Sequence, residues 1–298
     1  MGRNRYTATS QIKVGSWNLK FGQADSGLIA DRGLDLLMIQ EVKPDSFQRF
    51  LKHFSGGVHA MDSSLSDAPP AAGHGVALLW SDRFELCDSF LPKHMIRPHQ
   101  FLVCDLAFVK HAGFFQACSF HGMNGEQGDD GFDKPRFTMQ VAKWLEDQQG
   151  PVIIGMDANS PEVDHPDFAR TECHFDWLGP RNFERSLLGP DARHRLVDVY
   201  RTWLEQDPKR MKQVIKERPE GPLAISHRSG SKKAGKPRRY DHILATRGDF
   251  QVVEAAYEYD GAIAMKSDHA LVTATLSVEL GKRKNQPPVP RLLPTRFS

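Results

Sequence analysis

Short apolar runs separated by turn residues limit what this 298-residue sequence can fold into. Most of the runs are rich in β-branched or alternating apolar residues, which is typical of strands. The sequence therefore predicts a strand-rich fold that combines sheets with helices. The predicted strands are Ile12 to Leu19, Leu36 to Gln40, Val76 to Trp80, Phe101 to Val109, Phe114 to Phe120, Val152 to Met156, Ile243 to Ala245, Phe250 to Tyr257 and Ala270 to Val278.

A helix is indicated after Pro135, where apolar residues recur at helical spacing until Gly150 ends the pattern. Helices and strands alternate irregularly and no internal repeat is visible, which favours an α/β or α+β domain with mixed sheets. We expect one domain over residues 10–280. The segments 55–75 and 162–195 are interpreted as loops or insertions.

Polar side chains gather where the predicted strands end. Strand ends that are neighbours in a sheet lie together, so polar residues far apart in sequence can line one cleft. A single polar group after a strand is more often a residue that fixes a loop by hydrogen bonding. The occurrence of several such groups, in the order given below, favours a single active site instead. The groups are Trp17-Asn18, Gln40-Glu41, His121 with Asn124, Asp157 with Asn159, Arg239 to Asp241, and Ser267 to His269.

In this order, from Trp17-Asn18 to Ser267-Asp268-His269, the chain resembles the exonuclease/endonuclease/phosphatase superfamily over nearly the whole domain. Its members include DNase I-like nucleases, abasic-site endonucleases, tyrosyl-DNA phosphodiesterases, inositol-phosphate phosphatases and neutral sphingomyelinases. The resemblance implies a DNase I-like four-layer sandwich, in which two packed mixed β-sheets are flanked by helices. It also implies a catalytic domain that hydrolyses phosphate esters at one end of the sandwich.

A Mg²⁺ site, in which Mn²⁺ can replace Mg²⁺, is also implied by the resemblance. Glu41 matches the principal ligand, and Asn18 and Asp268 lie in the implied metal environment. Oxygen ligands and retained waters suit Mg²⁺ in proteins. Closely grouped His, Cys or carboxylate ligands of the kind that zinc needs are not evident in the sequence.

Catalytic roles follow from the same resemblance. Asp157 positions or deprotonates the attacking water, and Asn159 holds the phosphate or the nucleophile. His269 contacts the scissile phosphate, and Asp241 orients His269 and favours its imidazolium form. His121 is a second possible proton donor. These roles cover what phosphodiester hydrolysis requires, namely a nucleophilic water, neutralised phosphoryl oxygens and help for the leaving oxygen.

Two residues depart from the superfamily pattern. Met156 precedes Asp157, where many members carry Gly. His121 stands where abasic-site endonucleases carry Tyr, which favours a DNase I-like nuclease over an abasic-site repair enzyme. Asn124 still fits a position that contacts phosphate.

Positive charge is concentrated in two segments of a chain whose net charge is only +2. Residues 209–239 contain eleven Lys or Arg against two Glu, and residues 282–298 contain five Lys or Arg and no acid. Such asymmetry indicates a basic surface for a polyanion, or flexible solvated segments. Arg238 and Arg239, the adjacent pair that Tyr240 separates from Asp241, are predicted to bind substrate. Residues 281–298 are predicted to form a basic, Pro-containing tail.

These observations predict a Mg²⁺-dependent phosphodiester hydrolase that acts on nucleic acid, with a DNA endonuclease or exonuclease as the first choice. One alternative is a phosphatase or phosphodiesterase for a small or lipid-borne phosphate such as an inositol phosphate. Another is an inactive module that binds nucleic acid or a protein partner. Activity on plasmid DNA against inositol phosphates separates the first two, and turnover excludes the third.

A cytoplasmic location is expected, because no apolar run approaches the roughly 18 residues that span a bilayer and no signal peptide is evident. The four cysteines lack metal-type spacing and are interpreted as buried free thiols. The remaining histidines lack paired motifs, so His242 is assigned to the core and the others to the surface. The predicted surface histidines are His53, His59, His74, His94, His99, His111, His165, His174, His194 and His227.

Overall fold

The computed structural model describes residues 8–65, 73–124, 133–174, 184–229 and 235–280, and every predicted strand forms within these ranges. Six strands build the first sheet, in the order β13-β14-β1-β2-β4-β3. Strands β1 and β2 run parallel, and the other neighbours pair antiparallel. The bounds are β1 Ala8–Asn18, β2 Leu36–Val42, β3 Gly56–His59, β4 Gly75–Trp80, β13 Phe250–Glu258 and β14 Leu271–Leu280.

A second six-stranded sheet has the order β5-β6-β7-β8-β12-β9. Here β7 and β8 run parallel while the other neighbours are antiparallel, so both sheets are mixed. A separate hairpin pairs β10 with β11. The bounds are β5 Phe84–Phe90, β6 Phe101–Phe108, β7 Phe114–His121, β8 Val152–Asp157, β9 Leu196–Asp198, β10 His227–Ser229, β11 Lys236–Arg238 and β12 Asp241–Thr246.

Helices cover the outer faces of both sheets, and the predicted helix after Pro135 is confirmed as α3. None of the described helices is long and apolar enough to cross a membrane. The bounds are α1 Gly27–Ala30, α2 Pro44–Leu51, α3 Asp133–Asp147, α4 Glu184–Leu188, α5 Val199–Glu205, α6 Pro208–Glu217 and α7 Tyr259–Ala264.

Alternation along the strands sorts the apolar side chains into layers, because successive residues of a strand point to opposite faces. Leu36 and Met38 of β2 belong to the core between the two sheets. Leu37 and Ile39 of the same strand pack outward, in the cluster that includes Phe50 of α2. A third cluster joins the second sheet to α3. Strands buried on both faces have continuous apolar sequences, and the resulting layers confirm the expected four-layer sandwich.

The two sheets are in close contact at Gly155 of β8. A Cβ atom at Gly155 would lie 2.8 Å from side-chain atoms of Met38 and Ser16, so only glycine fits there without a shift. Beside it, Gln40 Nε2 donates to Ser16 Oγ at 3.3 Å and to Ser119 Oγ at 3.2 Å. Polar bonding therefore replaces apolar packing at this end of the core.

Some segments that were expected to be loops contain regular structure. Strand β3 forms because Gly56 and Gly57 let Trp80 and Leu79 pack against bare backbone. The segment 162–195 contains α4, and the basic segment contains α6 and the β10/β11 hairpin. Residues 66–72, 175–183, 230–234 and 281–298, including the predicted tail, lie outside the described residues.

The cysteines and histidines also differ in part from expectation. All four cysteines lie in described residues and none forms a disulfide, but Cys87 on β5 is exposed rather than buried. Polar residues on this edge strand face solvent, so its apolar neighbours do not enclose the thiol. The core assignment of His242 is confirmed, whereas four predicted surface histidines are buried. These are His59, His74, His99 and His165.

Candidate active site

The predicted polar groups meet at one end of the sandwich. His121 ends β7 and Asp157 ends β8, and the parallel pairing of these strands places both ends at the same edge of the second sheet. Asn18 ends β1 of the first sheet and reaches this edge through its hydrogen bond to Asp157. Asp241 begins β12 directly opposite Asp157, because β12 runs antiparallel to β8. His269 closes the group by bonding to Asp241.

Asp157 is the centre of the hydrogen-bond network. Its Oδ2 accepts from Asn18 Nδ2 at 2.7 Å, and its Oδ1 accepts from the backbone N–H of Asn159 at 2.9 Å. Burial favours the neutral acid, but the neighbouring His269 and His121 and these two hydrogen bonds outweigh burial and lower the pKa of Asp157. Asp157 is therefore an ionised carboxylate.

His269 is held between two buried carboxylates. Its Nδ1 lies 2.9 Å from Asp241 Oδ2 and 3.7 Å from Asp157 Oδ2. Burial opposes the charged form, but Asp241 and Asp157 overcome this effect and raise the pKa of His269 to about 10. Burial is also the main reason that the pKa of Asp241 is raised, with Asp157 adding to the effect. His269 is consequently an imidazolium at neutral pH.

Backbone contacts fix the segment that carries His269. Trp17 Nε1 donates to the His269 carbonyl at 3.0 Å, and Ser267 Oγ donates to the Asn18 carbonyl at 2.7 Å. The His269 N–H in turn donates to Ser267 Oγ at 3.0 Å. Residues from both ends of the domain thereby set the position of one imidazole.

Glu41 lies at the solvent side of this network. Its Oε2 accepts the Phe21 N–H at 2.8 Å, while its Oε1 is 3.5 Å from His121 Nε2, beyond the usual N–H···O distance. Lys20, Phe21 and Glu41 have φ values of 49°, 53° and 54°. Such left-handed conformations cost about 1–3 kcal/mol each and concentrate at functional sites.

Asn18 connects Asp157 to the turn at Lys20. Its Oδ1 accepts the Lys20 N–H at 2.8 Å, while its Nδ2 donates to Asp157. Asp268, whose side chain is 42% exposed, lies 3.6 Å from Lys20 Nζ. Glu41 and Asp268 therefore border the turn at Lys20 and Phe21, on the open side of the site.

A buried ion pair supports the loop that carries Asn159. Lys134 Nζ donates to the Asn159 carbonyl at 2.7 Å and lies 3.0 Å from Glu184 Oε1. Asn159 Nδ2 donates to the Gly122 carbonyl at 2.9 Å, which ties this loop to the end of β7. Lys134 and Glu184 were not predicted from the sequence, because they lie in α3 and α4 and not in a strand-end motif.

Arg239, predicted to bind substrate, lies instead inside a buried network. Its guanidinium bonds to Asp198 at 2.6 Å and to Asp164 at 3.0 Å, and it also donates to Tyr257 Oη. Tyr257 Oη donates to the Asp241 carbonyl at 2.6 Å. The expectation for Arg239 is corrected: its charge is neutralised within the fold, and it supports Asp241 from behind.

Arg238 and Asn124 lie nearer the surface than Arg239. The Arg238 guanidinium donates to the Glu162 carbonyl, and its Nη2 lies 3.5 Å from Glu162 Oε1. The Arg238 side chain is therefore bonded to Glu162 of the neighbouring loop. Asn124 is exposed, three residues beyond His121, and substrate contact by either residue stays a prediction.

Two histidines that were assigned to the surface belong to the site. His227 stacks on His269 with ring centroids 4.5 Å apart, and Tyr240 stacks on His227 with ring centroids 5.8 Å apart. His74 lies between Phe21 and His121, at ring-centroid distances of 5.3 Å and 6.3 Å. Neither histidine follows a predicted strand, so the strand-end pattern could not identify them.

One group within the described residues has the geometry of a possible metal site. Asp157, Asp241 and His269 each offer a ligand atom, and these atoms lie within 4.8 Å of one another. All three residues are buried. Glu41, the predicted principal ligand, lies outside this group, and its side chain is 14% exposed.

The sequence matches no protein-family model and no curated protein. Solved structures do match it. The endonuclease/exonuclease/phosphatase from Bacteroides vulgatus has a TM-score of 0.58 at 14% identity, with 91% of this chain and 100% of that chain covered. The human Nocturnin catalytic domain with a bound sulfate anion has a TM-score of 0.56 at 16% identity, covering 91% and 97%.

D. rerio TDP2 complexed with single-strand DNA product matches with a TM-score of 0.55 at 13% identity, covering 90% of this chain and 99% of that chain. At these identities the likeness shows the fold alone. It confirms the expected DNase I-like architecture, which this chain shares with the endonuclease/exonuclease/phosphatase from Bacteroides vulgatus.

Proposed function

We propose that this chain is a divalent-cation-dependent phosphodiesterase that hydrolyses nucleic acid, with DNA as the first candidate. The observation that carries this proposal is the meeting of Asp157, Asp241 and His269 with Glu41 at one end of the sandwich. An ionised acceptor, an imidazolium and the further carboxylate of Glu41 then lie close together. Phosphodiester hydrolysis needs these three kinds of group.

The residues around Glu41 fit Mg²⁺. Glu41 Oε2 is fixed by the Phe21 N–H, whereas Oε1 faces His121 at a distance too long for a normal hydrogen bond. Asp268 supplies a second carboxylate on the open side, and Mg²⁺ prefers oxygen ligands together with water. When bound, Mg²⁺ would neutralise charge on the phosphoryl oxygens.

The buried group of Asp157, Asp241 and His269 is less suited to the cation. His269 Nδ1 already lies 2.9 Å from Asp241 and 3.7 Å from Asp157. The raised pKa of His269 keeps a proton on this ring, and the proton supplies the positive charge that the two carboxylates require. We therefore assign the cation to Glu41 and Asp268, with Asn18 fixing the turn beside them.

The chain's own residues divide the remaining work. Asp157 is a weak base because its pKa is lowered, so it acts chiefly as an acceptor that orients the attacking water. His269 has Nδ1 committed to Asp241, which leaves Nε2 to donate to a phosphoryl oxygen. Asn159, held by Lys134 and Gly122, keeps the Asp157 loop rigid.

A nucleic acid substrate is supported by the hairpin of β10 and β11. His227 on this hairpin pairs with His269 in a β-bridge, so basic Arg228 and Lys236 lie on the same small element as a site residue. Positive side chains beside a cleft attract a phosphate backbone. The TDP2 neighbour was also solved with a single-strand DNA product.

Turnover on a substrate panel tests the proposal. Wild type and His269→Ala are assayed with Mg²⁺ on single-stranded DNA, duplex DNA, RNA and inositol phosphates, with Asp249→Asn as a control far from the site. We expect DNA cleavage by wild type and the control, and a loss of about a hundredfold or more in His269→Ala. Turnover confined to inositol phosphates would replace the nucleic acid assignment, and equal rates in all variants would refute the site.

Cation binding is tested separately by calorimetric titration with Mn²⁺. Glu41→Gln should weaken Mn²⁺ binding strongly, whereas Asp241→Asn should leave most of it, because Asp241 bonds to His269 rather than to the cation. The opposite pattern would move the cation into the group of Asp157, Asp241 and His269.

A further inference from the structure

Phe21 is an exposed aromatic residue that is attached to the catalytic carboxylate. Its side chain is 49% exposed, while its backbone N–H holds Glu41 Oε2 at 2.8 Å. The left-handed conformations of Lys20 and Phe21 turn the chain sharply at this point. An apolar ring is thus held at the rim of the site by the same residues that hold Glu41.

A row of rings leads from Phe21 into the site. The Phe21 ring packs edge-on against His74 with centroids 5.3 Å apart, and His74 lies 6.3 Å from His121. His74 is nine-tenths buried, and no described residue supplies its Nδ1 with a hydrogen-bond partner. Burial of a polar ring atom without a partner is costly, which points to a bound group that completes the site.

Exposure alone would not distinguish Phe21, since single apolar residues are common on protein surfaces. Phe114, for instance, is 60% exposed at the start of β7, whereas His121 of the active site ends the same strand. Phe21 differs from Phe114 in its bond to Glu41 and in its contact with a buried, unsatisfied histidine.

We propose that Phe21, backed by His74, is a stacking platform for one nucleobase of an unpaired strand, next to the phosphate that is cleaved. This inference rests on the proposed function and specifies its substrate. Bases stack on aromatic side chains with little sequence preference, because every base has a π-face. A paired base is already stacked within the duplex, so the platform favours single-stranded substrates or strand ends.

Single-stranded DNA that carries an abasic linker at successive positions tests the platform. Wild type, Phe21→Leu, Phe21→Trp and Phe114→Leu are compared by kcat/KM on each strand and on the matched strand with a normal base. Leucine keeps the N–H bond to Glu41 and an apolar side chain but removes the aromatic face. Thermal melting verifies that each variant is folded.

At one position, Phe21→Leu should lower kcat/KM about tenfold on the strand with a base and leave the abasic strand unchanged. Phe21→Trp should restore the rate, and Phe114→Leu should match wild type. Cleavage with equal rates in Phe21→Leu and wild type would overturn the platform and leave the phosphodiesterase in place. An equal loss on both strands would show that Phe21 acts only through Glu41, which also overturns the platform.

Binding separates the two proposals when no strand is cleaved. In that case the fluorescence of a strand containing 2-aminopurine is titrated with each variant. Quenching by wild type that is lost in Phe21→Leu would support the platform while refuting the phosphodiesterase. Absence of binding by wild type would overturn both.

Discussion

Two buried charged groups lie on either side of the start of β12, and they are built differently. Behind β12, Arg201 and Arg239 face Asp164 and Asp198, and three ion pairs of 3.0 Å or less join the four side chains. This balanced cluster matches two positive charges with two negative charges. It is closed to substrate because every charge already has a partner.

In front of β12, the candidate catalytic cluster of Asp157, Asp241 and His269 has two carboxylates and one imidazolium. Glu41 and Asp268 add further negative charge at its open side, where Lys20 is the nearby cation. Both groups consist of buried charges, but only the candidate catalytic cluster keeps unbalanced negative charge. This excess negative charge can attract a cation, and a bound cation would neutralise charge on a phosphate.

The largest expected effect is on turnover, at Glu41. Glu41→Gln keeps the shape of the side chain and removes the charge that we assign to cation binding. DNA cleavage should fall by about a thousandfold, as when a preorganised charged group is removed from an active site, while the melting temperature stays near that of wild type. A variant with full activity would contradict the assignment of the cation to Glu41, because the unbalanced charge would then have no role in catalysis.

A substitution in the balanced cluster should lower the stability of the fold. Arg239→Met leaves Asp164 and Asp198 without their shared partner, and removing one member of a buried ion pair costs about 3–5 kcal/mol of unfolding free energy. Chemical denaturation measures this loss. Lys209→Met, on the exposed face of α6, is the matched control and should change stability little. An Arg239→Met variant as stable as wild type would contradict the structural role.

The stability that the balanced cluster provides should depend on pH through Asp198. Burial opposes ionisation of this carboxyl, but Arg239 and His242 outweigh burial and hold its pKa well below the usual range. A group with a lowered pKa stabilises the fold above its unfolded pKa of about 4, and this contribution is lost as pH falls below that value. The stability difference between wild type and Arg239→Met should therefore shrink as pH falls below about 4, towards the lowered pKa of Asp198. A constant difference would rule out titration of this pair.

The smallest expected effect concerns the basic surface. Arg228 and Lys236 lie on the hairpin that contacts His269 through His227, whereas Lys209 and Lys212 lie on α6, which packs against α5. Replacing the hairpin pair with Gln should lower the salt slope of DNA binding by about 0.7 for each phosphate that is no longer neutralised. The same change on α6 should leave the slope unchanged, and a larger effect there would move the DNA path to α6.

Sequence patterns predicted most of this architecture for a physical reason. Strands such as Leu36–Val42 are buried on both faces, so their apolar residues form unbroken runs. The edge strand Phe84–Phe90 was missed because Glu85 and Asp88 interrupt its apolar residues, and four of its seven residues are exposed. Gly56–His59 was missed because its glycines, which allow close packing of Trp80, are also typical of loops.

The site was predictable only where strand ends carry the residues. Asn18, Asp157 and Asp241 lie at strand ends, and the structure brings them together. Arg239 was misassigned because its acidic partners lie 75 and 41 residues away, so its charge resembles part of a basic surface. His227 was missed for a similar reason, since only tertiary structure pairs it with His269.

A Mg²⁺ titration of single-stranded DNA cleavage tests the central claim most directly. Wild type and Glu41→Gln are first stripped of metal with a chelator and then assayed as Mg²⁺ is restored. We predict that stripped wild type is inactive, that Mg²⁺ restores saturable cleavage, and that Glu41→Gln stays inactive at the same Mg²⁺ concentrations. Cleavage that survives the chelator, or equal rescue of both proteins, would contradict the account.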